Sequence, residues 1–405
     1  MHKTAGRLKI SNGQIIGANA IISGSCVLVE HGKIIGMESL DTEFPEAELV
    51  DAQGQYISPG FIDIHVHGGG GSDFMDGSVE AFLTIAQTHA KHGTTSMVPT
   101  TLTSEKEDLI QTLEAFGKAD IVNFKGANLL GMHLEGPYFA MSQRGAQDPK
   151  YIRNPDPAEY EEILNSYSSI KRWSAAPELP GAVAFGKFVT SKGVLAAIAH
   201  TDAIYEEVLE AYHNGGYTLA THFYSAMSGV TRRNAYRYAG VVESAYLLDD
   251  MDVEIIADGV HLPAPLLKLI YKIKGPARIA LITDAMRAAD MPPGNSILGS
   301  LKNGLDVLVE DGVAKLPDRT GFAGSVATAD RLVRTMLDMA EVPLLETIQM
   351  MCHSPARIMG VDAQKGSLAV GKDADIVIFN RDIEIQETFV MGRSVYQKPS
   401  PIPLF

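Results

Sequence analysis

The stretch Pro59-Gly60-Phe61-Ile62-Asp63-Ile64-His65-Val66-His67-Gly68 decides how this chain reads. Its apolar run is bounded by Pro59-Gly60 on one side and by the glycines 68–71 on the other, as a buried strand would be. Alternate side chains of a strand share a face, so His65 and His67 are expected to project together at its end. Two imidazoles so placed are either half of a metal site or a hydrogen-bonded core pair, and residues further along the chain decide between the two.

Between residue 61 and about residue 360, apolar runs alternate with segments of helical period. The runs predict strands at 61–67, 94–99, 128–133, 173–176, 194–199, 217–221, 253–256 and 278–283, with helices between them at segments such as 78–92, 157–166, 205–213 and 263–273. Eight strands each followed by a helix predict an α/β fold, a TIM-type (β/α)8 barrel with its functional residues at the strand C-terminal ends. An open doubly wound sheet is the rival, but no Gly-x-Gly-x-x-Gly follows the first strand. Residues 7–57 read instead as short strands separated by glycine turns, and 374–396 supply similar material. A small β-sandwich domain formed by both chain ends is expected, from 1–57 and 361–405, around a catalytic barrel at 58–360.

Ligand-type side chains recur at the expected strand ends: His65 and His67 on the first, His133 and Glu135 in His133-Leu134-Glu135 on the third, and His200 on the fifth. His222 ends the sixth, Asp258 and His261 follow the seventh, and Asp284 ends the eighth. Taken singly, His200 or His222 reads as a satisfied core histidine and Asp284 as a helix cap. Asp202 is read as such a cap, and His89, His92 and His213 as structural residues on helices. Converging on one barrel mouth, the strand-end set predicts a site for one or two divalent ions with room for water.

Composition narrows the function further. The 405 residues are 45% hydrophobic and 20% charged, enough for a sizeable core. A net charge of -15 with no basic cluster excludes nucleic acid and membrane surfaces as expected partners. Two distant cysteines, Cys26 and Cys352, match no zinc-finger or redox spacing. Residues 1–7 lead into no apolar leader core, and no run of about 18 apolar residues occurs, so a soluble cytoplasmic protein is expected.

From Pro59-Gly60-Phe61-Ile62-Asp63, through His133-Leu134-Glu135-Gly136-Pro137, to the closing segment Gly366-Ser367-Leu368-Ala369-Val370-Gly371-Lys372-Asp373-Ala374-Asp375, the chain resembles the amidohydrolase superfamily. Within it, the chain is similar to the N-acetylglucosamine-6-phosphate deacetylase family. The strand-three glutamate is the specific feature. Many superfamily relatives use a carboxylated lysine on strand four, where this chain reads Trp173-Ser174-Ala175-Ala176-Pro177-Glu178.

The resemblance implies hydrolysis of the acetamide of N-acetylglucosamine 6-phosphate in amino-sugar catabolism. It also implies Glu135, His200 and His222 as principal metal ligands and Asp284 as the catalytic aspartate. The retained pair His65 and His67 implies a second ion, with zinc or iron the metals expected. The phosphosugar would be held by Ala146, Gln147, Ser225, Ala226, Arg233, Asp258, His261, Phe322, Ala323 and Gly324. Arg233 would meet the phosphate, in some relatives from a neighbouring subunit, so a homodimer is expected.

Two departures stand out. Arg144-Gly145-Ala146-Gln147 replaces the Lys-Gly-Ala-His of many relatives, and Ser225-Ala226-Met227 replaces Asn-Ala-Met. An N-acetylgalactosamine-6-phosphate deacetylase or a cyclic-amide hydrolase is therefore the alternative enzyme. A non-enzymatic assembly protein is disfavoured because no ligand is missing.

Overall fold

The computed structural model describes residues 6–399. The ends of the two expected terminal segments, 1–5 and 400–405, lie outside the described residues. A strand stands in each of the eight expected stretches: β1 (Phe61–Val66), β2 (Thr94–Pro99), β3 (Met132–Glu135), β4 (Ile170–Ala175), β5 (Leu195–Ile198), β6 (Tyr217–Ala220), β7 (Asp252–Ile256) and β8 (Ile279–Ile282); the expected run 128–133 is split, with Asn128–Leu129 pairing with β2 and Met132–Glu135 with β4. A helix follows each one: α1 (Val79–Ala90), α2 (Lys106–Val122), α3 (Pro157–Ser166), α4 (Ala182–Ser191), α5 (Tyr205–Glu210), α6 (Val241–Leu247), α7 (Ala264–Lys274) and α8 (Ala329–Asp338).

Strands β3 to β8 form a six-stranded sheet in sequence order with every pairing parallel. β1 and β2 belong to a second parallel sheet. All six residues of β1 and of β2 are buried, so both faces are covered, as parallel strands require. Backbone hydrogen bonds join the sheets at both edges: Thr101 N–H to the His133 carbonyl at 3.0 Å, and Asp284 N–H to the His65 carbonyl at 2.9 Å.

The chain ends meet where Tyr56–Pro59 pairs antiparallel with Ile376–Phe379, in a six-stranded sheet that also holds Gln14–Ile16 and Ile385–Val390. A four-stranded sheet containing Arg7–Ser11 and Ser25–Glu30 lies against it. Leu8, Ile10, Val27 and Val29 from the second sheet share a buried cluster with Ile57, Ile376 and Phe389 from the first. Alternating inward residues on short strands account for this cluster.

Two additions were not expected. An antiparallel sheet of Gly294–Leu298, Leu305–Glu310, Val313–Lys315 and Phe322–Ser325 sits between β8 and α8. Its central turn is Asp311-Gly312, with φ 52° and 74°, the pair that a tight hairpin favours. A second hairpin, Thr231–Arg233 with Tyr236–Tyr238, follows β6 and turns through Asn234 and Ala235.

Candidate metal centre

Strand geometry places the candidate ligands. His65 lies on β1 and His67 one residue beyond it, both buried, with their Nε2 atoms 3.2 Å apart. Glu135 is the last residue of β3. His200, His222 and Asp284 each stand two residues beyond their strands, with φ of 48°, 34° and 47°. A left-handed backbone at a non-glycine residue costs about 1–3 kcal/mol, so three such residues at one mouth mark a place where geometry overrides local preference.

Two groups result, one of His65, His67 and Asp284, the other of Glu135, His200 and His222. Within each group, ligand atoms lie within 4.8 Å of one another. Glu135 touches both. Its Oε1 is 3.0 Å from His222 Nε2, 3.5 Å from His200 Nε2 and 3.4 Å from His65 Nε2, while its Oε2 is 3.4 Å from His67 Nε2. Asp284 Oδ1 closes the first group at 3.2 Å from His67 Nε2 and 3.4 Å from His65 Nε2.

The far nitrogens of three rings are engaged. His200 Nδ1 reaches the Gln143 carbonyl at 2.8 Å, His222 Nδ1 the Ser225 carbonyl at 3.1 Å, and His65 Nδ1 the Glu254 carboxylate at 3.3 Å. A carbonyl or carboxylate there requires Nδ1 to donate, which leaves the Nε2 lone pair for the cavity. This is how metal-ligating histidines are held, and the mixed imidazole and carboxylate set fits a divalent first-row ion. His67 Nδ1 is buried without a partner among the described residues.

The electrostatics agree. Burial alone would raise Glu135, but His65 and the hydrogen bonds from His200 and His222 hold it well below the usual carboxylate range. Asp284 is likewise lowered, with His67 and His65 outweighing burial. Burial works against protonated His67, yet its hydrogen bond to Asp284 and the Glu135 charge push it up to about 9. The cluster is therefore anionic enough to hold protons where a cation would sit.

Sequence reasoning missed the layer beneath. Arg172 and Glu254 are fully buried and form an ion pair, with Arg172 Nη2 at 2.9 Å from Glu254 Oε2. Arg172 also donates to the Ile64 carbonyl at 3.1 Å and to Thr221 Oγ1 at 2.8 Å. Glu254 thereby presents Oε2 to His65. Glu254, a charge between Val253 and Ile255 inside an apolar strand run, was the available clue, whereas Arg172 follows Lys171 and gave none.

A cavity of about 360 Å³ opens above the cluster, within the range of small-molecule sites. Of the expected sugar-binding residues, Ala146, Gln147, Ser225, Ala226, His261, Phe322 and Gly324 line it. Three others do not. Ala323 is buried behind its neighbours. Asp258 turns away to accept from His261 Nδ1 at 2.8 Å, and so orients a ring that packs 4.8 Å from that of Phe322. Arg233 is carried off on the exposed hairpin, its guanidinium 5.6 Å from the Tyr238 ring centre.

One further expectation is corrected. Asp202 caps no helix; it accepts from Ser142 and from Gln143 Nε2, and Glu207 takes the Ile204 N–H at the start of α5 instead.

The family model described as "Amidohydrolase family" matches residues 56–395. An N-acetylglucosamine-6-phosphate deacetylase of Vibrio furnissii is 33% identical over 368 residues, 91% of this chain and 89% of that one. An N-acetylgalactosamine-6-phosphate deacetylase of Escherichia coli O157:H7 is 31% identical over 90% of this chain and 93% of its own length. The crystal structure of the N-acetylglucosamine-6-phosphate deacetylase from Pasteurella multocida superposes with a TM-score of 0.89 at 28% identity, over 96% of this chain and 99% of that one.

Proposed function

Since the chain belongs to the amidohydrolase family, we propose that it hydrolyses the acetamide of N-acetylglucosamine 6-phosphate, releasing glucosamine 6-phosphate and acetate. The observation that carries this reading is the shared carboxylate. Glu135 reaches both histidine groups at the floor of a sugar-sized cavity, in a chain that matches such deacetylases over most of its length. The two groups would hold one or two divalent ions, zinc or iron. A bound ion supplies Lewis acidity and an acidified water.

The protein's own residues do the rest. Asp284, kept ionised by His67 and His65, accepts the proton of the attacking water and returns it to the departing amine nitrogen. His261, whose Nδ1 is held by Asp258, presents its Nε2 lone pair to the cavity as an acceptor for a sugar hydroxyl. Phe322 and Leu298 from the added antiparallel sheet line the cavity. The parallel sheets are read as one closed (β/α)8 barrel at 58–360, and the two end sheets as one β-sandwich domain from 1–57 and 361–405.

No arginine lines the cavity among the described residues. Exposed Arg233 is therefore read as the phosphate partner of a second copy's cavity, in a homodimer. The galactosamine epimer is the second reading, favoured by the Escherichia coli relative and by Ser225, a shorter reach than asparagine.

Acetate release from N-acetylglucosamine 6-phosphate, its galactosamine epimer and unphosphorylated N-acetylglucosamine tests the proposal. The first substrate is expected to be fastest, and loss of the phosphate to cost about 10- to 150-fold in kcat/KM. Equal rates with and without phosphate would reject a phosphosugar site, and preference for the epimer would select the second reading.

A further inference from the structure

Gln147 stands where many relatives carry a histidine, and its amide is fully oriented. Nε2 donates to Glu135 Oε2 at 2.9 Å, while Oε1 accepts both the backbone N–H and the hydroxyl of Thr103, each at 2.9 Å. Reversing the amide would set its oxygen against a carboxylate and its NH2 against an N–H, so the partners fix the assignment. Gln147 is 4% exposed and lies in the loop after β3, whereas Thr103 lies in the loop after β2. Gly136, at φ 98°, permits this approach. A Cβ there would come 2.5 Å from Thr103 Cγ2.

From this geometry we infer that Gln147 is a positioning residue for Glu135. Glu135 has one oxygen for His222 and His200 and the other toward His67. A carboxylate free to rotate would offer that arrangement only part of the time. The Gln147 hydrogen bond, braced by Thr103, holds Oε2 on the His67 side and leaves Oε1 for His200 and His222. The inference rests on the deacetylase reading for its substrate, but not for its metal.

Zinc affinity of the metal-stripped protein, measured by chelator competition, separates the two roles. Gln147→Leu is expected to weaken zinc binding about 10- to 100-fold, with KM nearly unchanged and kcat reduced. Gln147→His, whose ring can donate to Glu135, should recover most of the affinity. If the Leu variant does not fold, Thr103→Val loosens Gln147 from its other end and should weaken zinc binding to a smaller degree. Unchanged zinc affinity with a raised KM would overturn the inference and make Gln147 a substrate contact. A wild-type protein that takes up no zinc would sink both this inference and the functional reading. Tight zinc binding without acetate release would sink the functional reading alone.

Discussion

The buried pair of Arg172 and Glu254 offers a perturbation in which stability and metal binding separate. Arg172→Met leaves the Glu254 carboxylate buried at 0% exposure without its counter-charge. Stranding such a charge costs about 3–5 kcal/mol, whereas replacing both partners by apolar side chains is often neutral. Arg172→Met alone should therefore lower the urea midpoint strongly, and Arg172→Met with Glu254→Leu should recover most of the loss. His65 gains nothing from that recovery. In the double variant its Nδ1 has lost the Glu254 acceptor at 3.3 Å, so the ring no longer has a fixed tautomer. Zinc affinity should stay about 10- to 100-fold below wild type despite restored stability. Chelator competition on apoprotein together with urea unfolding reads both quantities on the same samples. A stable double variant with wild-type zinc affinity would refute the claim that Glu254 orients His65.

Three other outcomes follow from the geometry. Asp284→Asn, nearly isosteric but unable to carry a proton, should lower kcat by at least about 100-fold with the fold and metal content retained; near-normal turnover would assign the proton to another group, with His261 next to test. Zinc uptake by the apoprotein should release protons and tighten as pH rises toward 9, because the proton on His67 must leave; an affinity independent of pH between 6.5 and 9 argues against that linkage. Asp330, a buried residue, is lowered to about 2 where His92, Arg334 and Thr328 outweigh burial, so its contribution is present above the unfolded value of 3.8 and lost as pH falls through about 2. Asp330→Asn should cost about 2 kcal/mol at neutral pH and nearly nothing at pH 2, and a penalty that persists in acid would point to packing instead.

The parallel strands were legible where they are buried on both faces and written as largely apolar runs between turn residues, as in β1 and β8. Five of the six candidate ligands were legible for a related reason: a polar side chain that ends such a run must face the mouth. Glu135 was singled out through the family resemblance. Arg172 and Glu254 escaped because burial of a charge depends on its partner, and the two stand on strands 82 residues apart. Next to exposed Lys171, Arg172 reads as a solvated strand start. Arg233 was placed by analogy, and no local pattern shows that its hairpin leaves the mouth of its own chain. The sheet over 294–325 carried an Asp-Gly turn, but helix-period expectations after β8 obscured it.

These two classes of residue depend on each other. Glu135 and Asp284 lie in a buried cluster where two of the neighbouring imidazoles favour the protonated form and help hold them ionised, His67 near 9 and His222 raised by Glu135. A divalent cation can displace such protons without a large change in total charge, so the protonated cluster is a placeholder for an ion. Exchange works only if the Nε2 lone pairs already converge. The Gln143 and Ser225 carbonyls and Glu254 set three of those rings, and Gln147 sets the carboxylate they share. The energetic expense of burying Arg172 with Glu254 then has a reason that stability does not supply: an apolar pair would pack as well, but it could not tell His65 which nitrogen to present.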